Sequence, residues 1–212
     1  MFIETRGLFN MSVGARLEQD GYGKNCDPHA RISQNLESDI EIHPGLIRIA
    51  PHVRLDFGGF GKGWLIDKIG ALLKESGINT FIINGGGDIL VGDTIEPIFV
   101  EHPFHADEQI GTVKVQNSSL ASSSKQKRTW ITEDGRIRTH IISPNNNASD
   151  SPLSVHVHAK SALYADTFGT VFLLTNHLGR RKLAKDFGLE YMEINQNLQS
   201  WQTAGFGFLA NS

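Results

Sequence analysis

Asp166 and Thr170 stand four residues apart within Ser161 to Thr175, where Leu163, Val171, Phe172 and Leu174, behind a capping Ser161, predict a helix. Residues four apart share one helix face. A carboxylate and a hydroxyl together are hard oxygen donors of the kind Mg2+ takes, with water and substrate phosphate filling its other positions. The same pair is also commonplace on solvated helix faces. A second concentration is Gly58-Gly59-Phe60-Gly61-Lys62-Gly63, four glycines around a lysine, flanked by Asp56 and Asp67. Such glycines mark close backbone approach, and a helix opening from them turns free N–H groups and a positive dipole end toward a phosphate. Tight packing against another element explains them equally well. Two familiar phosphate loops are excluded: Lys62 precedes the last glycine with no Ser or Thr after it, and G-x-G-x-x-G is not formed.

Other chemistry-bearing residues read more plainly. His102 and His105 lie among acidic residues beside Pro103, which favours a solvated loop over a metal site. Ser122-Ser123-Ser124 has no glycine elbow around it and is suited to hydrogen-bonding a ligand or the backbone. His156 and His158 alternate onto one face of a strand and read as scaffold. Taken alone, His140 reads as a strand histidine with a satisfied hydrogen bond.

These residues need elements to hold them. Ile40 to Ile42, Ile47 to Ile49 and Val53 to Leu55 alternate at strand period, and the chain then enters the glycine turn. Leu65, Ile66, Ile69, Leu72 and Leu73 recur at helical spacing, predicting a helix over 64–76 stopped by Gly77. Strands are expected over 78–83 and 88–92, near 98–100, and over 112–115. Glu133-Asp134-Gly135 predicts a hairpin turn between 129–132 and 136–142. A strand over 154–159, a helix over 180–187 stopped by Gly188, and strands over 191–194 and 201–209 complete the chain. Asp27 to Asp39 reads as a surface loop or short helix.

With 212 residues, 39% of them hydrophobic, the chain can bury a substantial core. Its 20 basic and 23 acidic residues leave a charge of −3 and no basic face, so nucleic acid is not an expected partner. The single cysteine, Cys26, precludes an internal disulfide. No apolar run is long enough to span a bilayer, and Met1 to Arg6 lacks a signal-peptide plan. The expectation is a cytoplasmic protein, or a cell-envelope one if the chain is a fragment.

Leu55-Asp56-Phe57-Gly58-Gly59-Phe60-Gly61-Lys62-Gly63-Trp64, followed by an apolar helix, a strand and Asn84-Gly85-Gly86-Gly87-Asp88, resembles the core motif of the ApbE family, the FAD:protein FMN transferases. There the pattern is L-D-L-G-G-[IV]-[AG]-K-G-Y, then N-x-G-G-D. Gly7 to Gly14 is similar to the family's G-[AL]-F-D-x-[TS]-V-G, and Ala165 to Thr170 to its A-D-A-x-[AGS]-T metal helix. Leu120 to Ser124 stands where the family has V-A-T-S-G. His140-Ile141-Ile142-Ser143-Pro144 resembles H-I-I-D-P, with Ser143 in place of the aspartate and Asn145-Asn146-Asn147 in place of an R-T-G-like turn.

The resemblance implies an α+β fold, ApbE-like (T-fold-like) mixed sheets packed with helices, N-terminally shortened, with residues 1–212 as one flavin transferase domain. It implies magnesium-dependent transfer of FMN from FAD to a Ser or Thr hydroxyl of a target flavoprotein, with release of AMP. Mg2+ would be held by Asp166, Thr170 and the Gly61 carbonyl. Gly58, Gly59 and Lys62 would meet the pyrophosphate, unless Lys62 pairs with Asp67 instead. Leu8, Phe9, Asn10, Trp64 and Ile141 would lie about the flavin. His140, an imidazole whose ordinary pKa lies near neutrality, would accept the hydroxyl proton, and Asp88 would support the turn. The alternatives are a non-catalytic FAD-binding or assembly module and an Mg-dependent FAD pyrophosphatase. A homo-oligomer, with elements swapped between copies, is among the expected assemblies.

Overall fold

The computed structural model describes residues 1–22, 27–105, 107–126, 129–132, 135–142 and 151–211. Cys26, Glu133, Asp134, Ser143, Pro144 and Asn145 to Asn147 lie outside the described residues. In chain order come α1 (Gly14–Gln19), α2 (Leu36–Asp39), β1 (Ile40–His43), β2 (Leu46–Ile49), α3 (Gly61–Glu75), β3 (Ile82–Asn84), β4 (Ile89–Val91), β5 (Glu96–Glu101) and β6 (Gln109–Val115). Then follow β7 (Ser118–Ser124), β8 (Thr129–Ile131), β9 (Ile137–Thr139), β10 (Ser154–Ala159), α4 (Ala162–Leu173), α5 (His177–Phe187), β11 (Glu190–Ile194), β12 (Ser200–Gln202) and β13 (Phe208–Ala210). The helices and sheets make an α+β fold, but the sheets are not mixed as expected: every pairing between the named strands is antiparallel.

The elements fall into two compact units. One comprises Met1–Phe57 and the described part of Lys127–Asn147; the other comprises Gly58–Gln126 and the described part of Ala148–Ser212. In the first, β1 and β2 form a hairpin with Ile40 opposite Ile49 and Ile42 opposite Ile47. Asn35 caps α2 by accepting the Glu37 N–H at 3.1 Å. The β8–β9 hairpin is tied to the α1 end where Trp130 Nε1 donates to Asp20 O at 2.6 Å.

The second unit is built on a six-stranded sheet of order β12-β11-β10-β7-β4-β3 and a three-stranded sheet of order β13-β6-β5. Side chains alternate along β7. Leu120 enters a core with Val113 and Val115 of β6 and Met192 and Ile194 of β11, while the opposite face, with Ser123, meets α4. A Cβ on Gly169 of α4 would lie 2.7 Å from Ser123 Oγ, so glycine there brings the helix down onto the sheet. Helix α4 is buried almost all round, from Ala162 to Leu173. Buried Arg180 ties its far end to β11, donating to Phe172 O at 3.4 Å and to Glu193 Oε2 at 2.5 Å.

Four expectations about the elements need correction. Helix α3 begins at Gly61, three residues before the expected start at 64, because Gly63 is covered by α4 and tertiary contact outweighs its poor helix propensity. Val53 to Leu55 is no strand; Val53 makes only an isolated bridge to Arg31 and Arg54 one to Val13. Of 78–83 only the end is strand, β3, since the preceding residues cross Gly92 closely, Phe81 O accepting the Gly92 N–H at 2.9 Å. The strand expected over 201–209 divides into β12 and β13, which belong to different sheets, because the chain turns between them with Phe206 N–H donating to Thr203 O at 3.1 Å. The other boundaries agree to within a few residues, and Ser161 caps α4 as expected.

Asp67 has a part that its spacing did not suggest. Its carboxylate accepts Ser161 Oγ–H at 2.6 Å and the N–H groups of Ala162 and Leu163 at 2.8 and 2.9 Å, capping α4 from another helix. Asp67→Ala is expected to cost about 2 kcal/mol, from the lost charge-assisted bonds and two N–H groups left without an acceptor. A fall in the denaturation midpoint at unchanged slope would measure it; an unmoved midpoint would contradict the assignment.

Candidate active site

The opening of α3 and the middle of α4 are locked together at Gly63. A Cβ at that position would stand 2.3 Å from Ala162 O and 2.8 Å from Asp166 Cβ, so no other residue allows this crossing. The Gly63 N–H, unused within its own first helical turn, donates to Asp166 Oδ2 at 2.9 Å. The neighbouring Lys62 Nζ reaches Asp166 Oδ1 at 3.2 Å.

Asp88 joins them through a glycine hairpin. Asn84 Oδ1 accepts the N–H groups of Gly86 and Gly87 at 3.0 and 2.9 Å, and both glycines have positive φ, 80° and 102°, which side-chain-bearing residues rarely adopt. Gly85 N–H donates to Asp88 O at 2.8 Å and closes the turn. The Asp88 carboxylate is thereby delivered to Lys62 Nζ, which it binds, and it also accepts the Ser122 N–H.

Two buried carboxylates therefore share one ammonium. The Asp88 and Asp166 side chains are 3% and 5% exposed, and with Lys62 their charges sum to one negative. Burial, then the Asp166 charge, hold the Asp88 carboxyl above the usual carboxylate range against the pull of Lys62. Burial works to lower the Lys62 ammonium, but Asp166 and Asp88 outweigh it and hold it above the usual lysine range. A cation of higher charge, or a proton, would balance the surplus.

The α3–α4 crossing brings Lys62 to Asp166; Gly61 is the first residue of α3, and Thr170 lies half-buried on α4 one turn beyond Asp166. Gly58 and Gly59 lie in the turn that leads into α3. Trp64 is 49% exposed on α3, with Lys68 Nζ 5.7 Å from its ring centre. Lys62 pairs with Asp88 and Asp166 rather than with Asp67, whose oxygens are spent on α4. Among the described residues no group of three His, Cys, Asp or Glu is placed to hold a metal. Donors that fit one are the carboxylate, hydroxyl and carbonyl oxygens already named, a set suited to Mg2+ rather than zinc.

Leu8, Phe9, Asn10, His140 and Ile141 belong to the other unit. Asn10 is buried and fully engaged, Oδ1 accepting Ser12 N–H and Oγ–H at 3.0 and 2.7 Å while Nδ2 donates to Ser33 O at 2.9 Å. It borders a cavity of about 280 Å³ lined also by Phe2, Ile3, Arg6, Gly7, Ser33 and Gln34. Leu8 and Phe9 are half-buried, His140 sits half-buried just past β9, and Ile141 is buried. Sequence reasoning gave Asp88 only a supporting turn role; its place one residue before a strand, behind three glycines, was the available signal.

The family model described as "ApbE family" matches residues 1–192. The FAD:protein FMN transferase of Buchnera aphidicola subsp. Baizongia pistaciae is 23% identical over 96% of this chain and 66% of its own length. That of Escherichia coli strain K12 is 21% identical over 94% of this chain and 63% of its own length. The chain spans just under two thirds of each of these relatives. Among solved structures, the ApbE protein of Thermotoga maritima superposes with a TM-score of 0.80 at 20% identity, covering 97% of this chain and 72% of the other. Flavin transferase ApbE from Vibrio cholerae does so at 0.73 and 18%, with the same coverage, and both share the fold. No helix among the described residues is long and apolar enough to cross a membrane.

Proposed function

The chain belongs to the ApbE family, and we propose that residues 1–212 act as one flavin transferase domain, moving FMN from FAD to a Ser or Thr hydroxyl of a target flavoprotein. The observation that carries this reading is the cluster of the buried Asp88 and Asp166 carboxylates around half-buried Lys62, whose surplus negative charge lies where the glycine motif opens α3. Magnesium held by Asp166, Thr170 and the Gly61 carbonyl would neutralise charge gathering on the pyrophosphate oxygens. Lys62 adds positive field from the same helix turn, and Asp88 keeps that lysine charged and in place. In the transfer, the target hydroxyl oxygen bonds to the FMN-side phosphorus, the bond from that phosphorus to AMP breaks, and the hydroxyl proton passes to the His140 imidazole. Leu8, Phe9, Trp64 and Ile141 contribute apolar surface for the flavin, and Gly58 and Gly59 let the backbone approach the diphosphate. Asn10 acts by holding its own loop in shape.

Incubation with FAD, Mg2+ and a flavoprotein acceptor peptide tests the reading. Equal amounts of AMP and of peptide carrying esterified FMN are expected by mass spectrometry. AMP with free FMN and no adduct would replace it with a pyrophosphatase. FAD binding with neither product across several divalent metals would replace it with a non-catalytic module.

A further inference from the structure

The flank of α3 turned away from α4 is apolar and open. At 3.6 residues per turn, Leu65, Ile69 and Leu72 fall opposite Asp67, the residue that meets α4. They are 53%, 38% and 62% exposed. The six-stranded sheet shows where this flank points. Helix α4 lies over β7, where Gly169 meets Ser123, and Gly70 sets α3 over the next two strands. A Cβ on Gly70 would stand 2.6 Å from Leu90 Cδ2 of β4 and 3.7 Å from Ile83 Cδ1 of β3. Since β3 is the last strand on that side, the open flank of α3 overhangs the edge of the sheet.

The strand edge beneath it is bare as well. Phe81 O accepts the Gly92 N–H at 2.9 Å and Gly85 N–H donates to Asp88 O at 2.8 Å, both toward β4. By alternation Ile83 also bonds toward β4, and Ile82 and Asn84 turn their backbone groups outward. No partner for those outward groups is found among the described residues. From Ser76 to Gly87 the sequence has no charge and no proline, two of the devices that keep edge strands from pairing.

We propose that a second copy of this chain docks on this face, about a two-fold axis at Ile83. Antiparallel pairing of β3 with its mate, centred on Ile83, sets Ile82 of one copy opposite Asn84 of the other, and every outward N–H and C=O of the strand finds a partner. The mate of α3 then stands two strand spacings away, roughly 10 Å, the separation at which helices pack. Gly70 lies over Ile83, so the adjoining Ile69 is level with the axis and meets its own counterpart, while Leu65 meets Leu72 of the second copy. The strand and the helix stripe are thus centred on one axis, a self-complementarity that a different protein would have no reason to find. Leu65, Ile69, Leu72 and Ile82 together expose on the order of 400 Å², an apolar area of the size that marks interaction sites. With the exposed polar residues around them, the face is of the order of the roughly 800 Å² that each partner gives to a standard interface.

Sedimentation of the parent over about 1–100 μM should show a monomer passing into a dimer. Ile69→Glu sets one carboxylate against another on the axis and should raise the dimer dissociation constant at least about a hundredfold. Ile69→Lys should do the same, and an equimolar mixture of the two variants should dimerise again, as only a residue that meets itself allows. Leu178→Glu, at an exposed apolar position on α5, should leave association unchanged. Independently of any variant, amide exchange at Ile82 and Asn84 should slow as the dimer forms and quicken on dilution. A dimer that survives Ile69→Glu, a mixture that stays monomeric, or exchange at Ile82 and Asn84 that ignores concentration overturns the proposal. So does a parent that is monomeric at about 100 μM, which would leave this face to a different protein. The transferase reading stands in each case.

Discussion

Asp166→Asn should fold, keep the α3–α4 crossing, and release AMP from FAD roughly 10³-fold more slowly than the parent. The amide retains an oxygen for the Gly63 N–H, which in the parent lies 2.9 Å from Oδ2, so the helices stay docked. What disappears is the carboxylate charge, and a bound metal supplies several kcal/mol of transition-state stabilisation, each 1.4 kcal/mol or so being a factor of ten. Raising Mg2+ should recover part of the rate, since a weakened site fills by mass action. Asp166→Ala should lose the same activity and in addition destabilise, leaving the Gly63 N–H buried without an acceptor at a cost of about 1–3 kcal/mol. Magnesium titrations and AMP release measured on both variants check the assignment. Full activity at the parent's magnesium requirement in either would remove α4 from the metal site.

His140→Ala should behave differently. Transfer should fall by about 10²–10⁴-fold, the usual worth of a general base, with magnesium-dependent FAD affinity close to the parent's. The side chain removed is half-buried beyond the end of β9. Raising pH should return part of the lost rate, because a hydroxyl closer to its own ionisation needs less help. Stopped assays across a pH series, scored for AMP and for peptide adduct, separate this behaviour from that of Asp166→Asn. Transfer at the parent rate in His140→Ala would mean that another group takes the proton.

Local signals carried much of this fold. The apolar spacing and Ser161 cap of α4, the Gly188 stop of α5 with its φ of 63°, and the alternation of β10 all follow from nearest neighbours along the chain. The pairing of Lys62 with Asp166 is 104 residues apart in sequence, and no period or propensity expresses it. The same holds for Asp67: an aspartate inside an apolar helix looks like a solvated face until the second helix end arrives against it. The glycines misled in a particular way. Phosphate approach and tight packing were both open readings, and at Gly63 the close neighbour is Ala162 of α4. Strand alternation at Val53 to Leu55 failed because a periodic segment still needs a partner strand, and here it finds only single bridges.

The cap on α4 also sets a timetable. Asp67 leaves the ribosome 95 residues ahead of Ala162, the backbone N–H it must bind. At ordinary synthesis rates of about 5–20 residues per second, α3 waits roughly 5–20 s for its partner helix. Throughout that interval Ile66, only 3% exposed in the finished protein, lacks the Ala162 contact that helps cover it, and Lys62 lacks Asp166, the second of its two carboxylate partners. The nascent chain therefore passes through a stage with a bare apolar helix face and an unfinished charge cluster. Substitutions that slow the docking of α4 lengthen that stage, and their first consequence is a smaller yield of folded protein, before any defect in the protein that does fold.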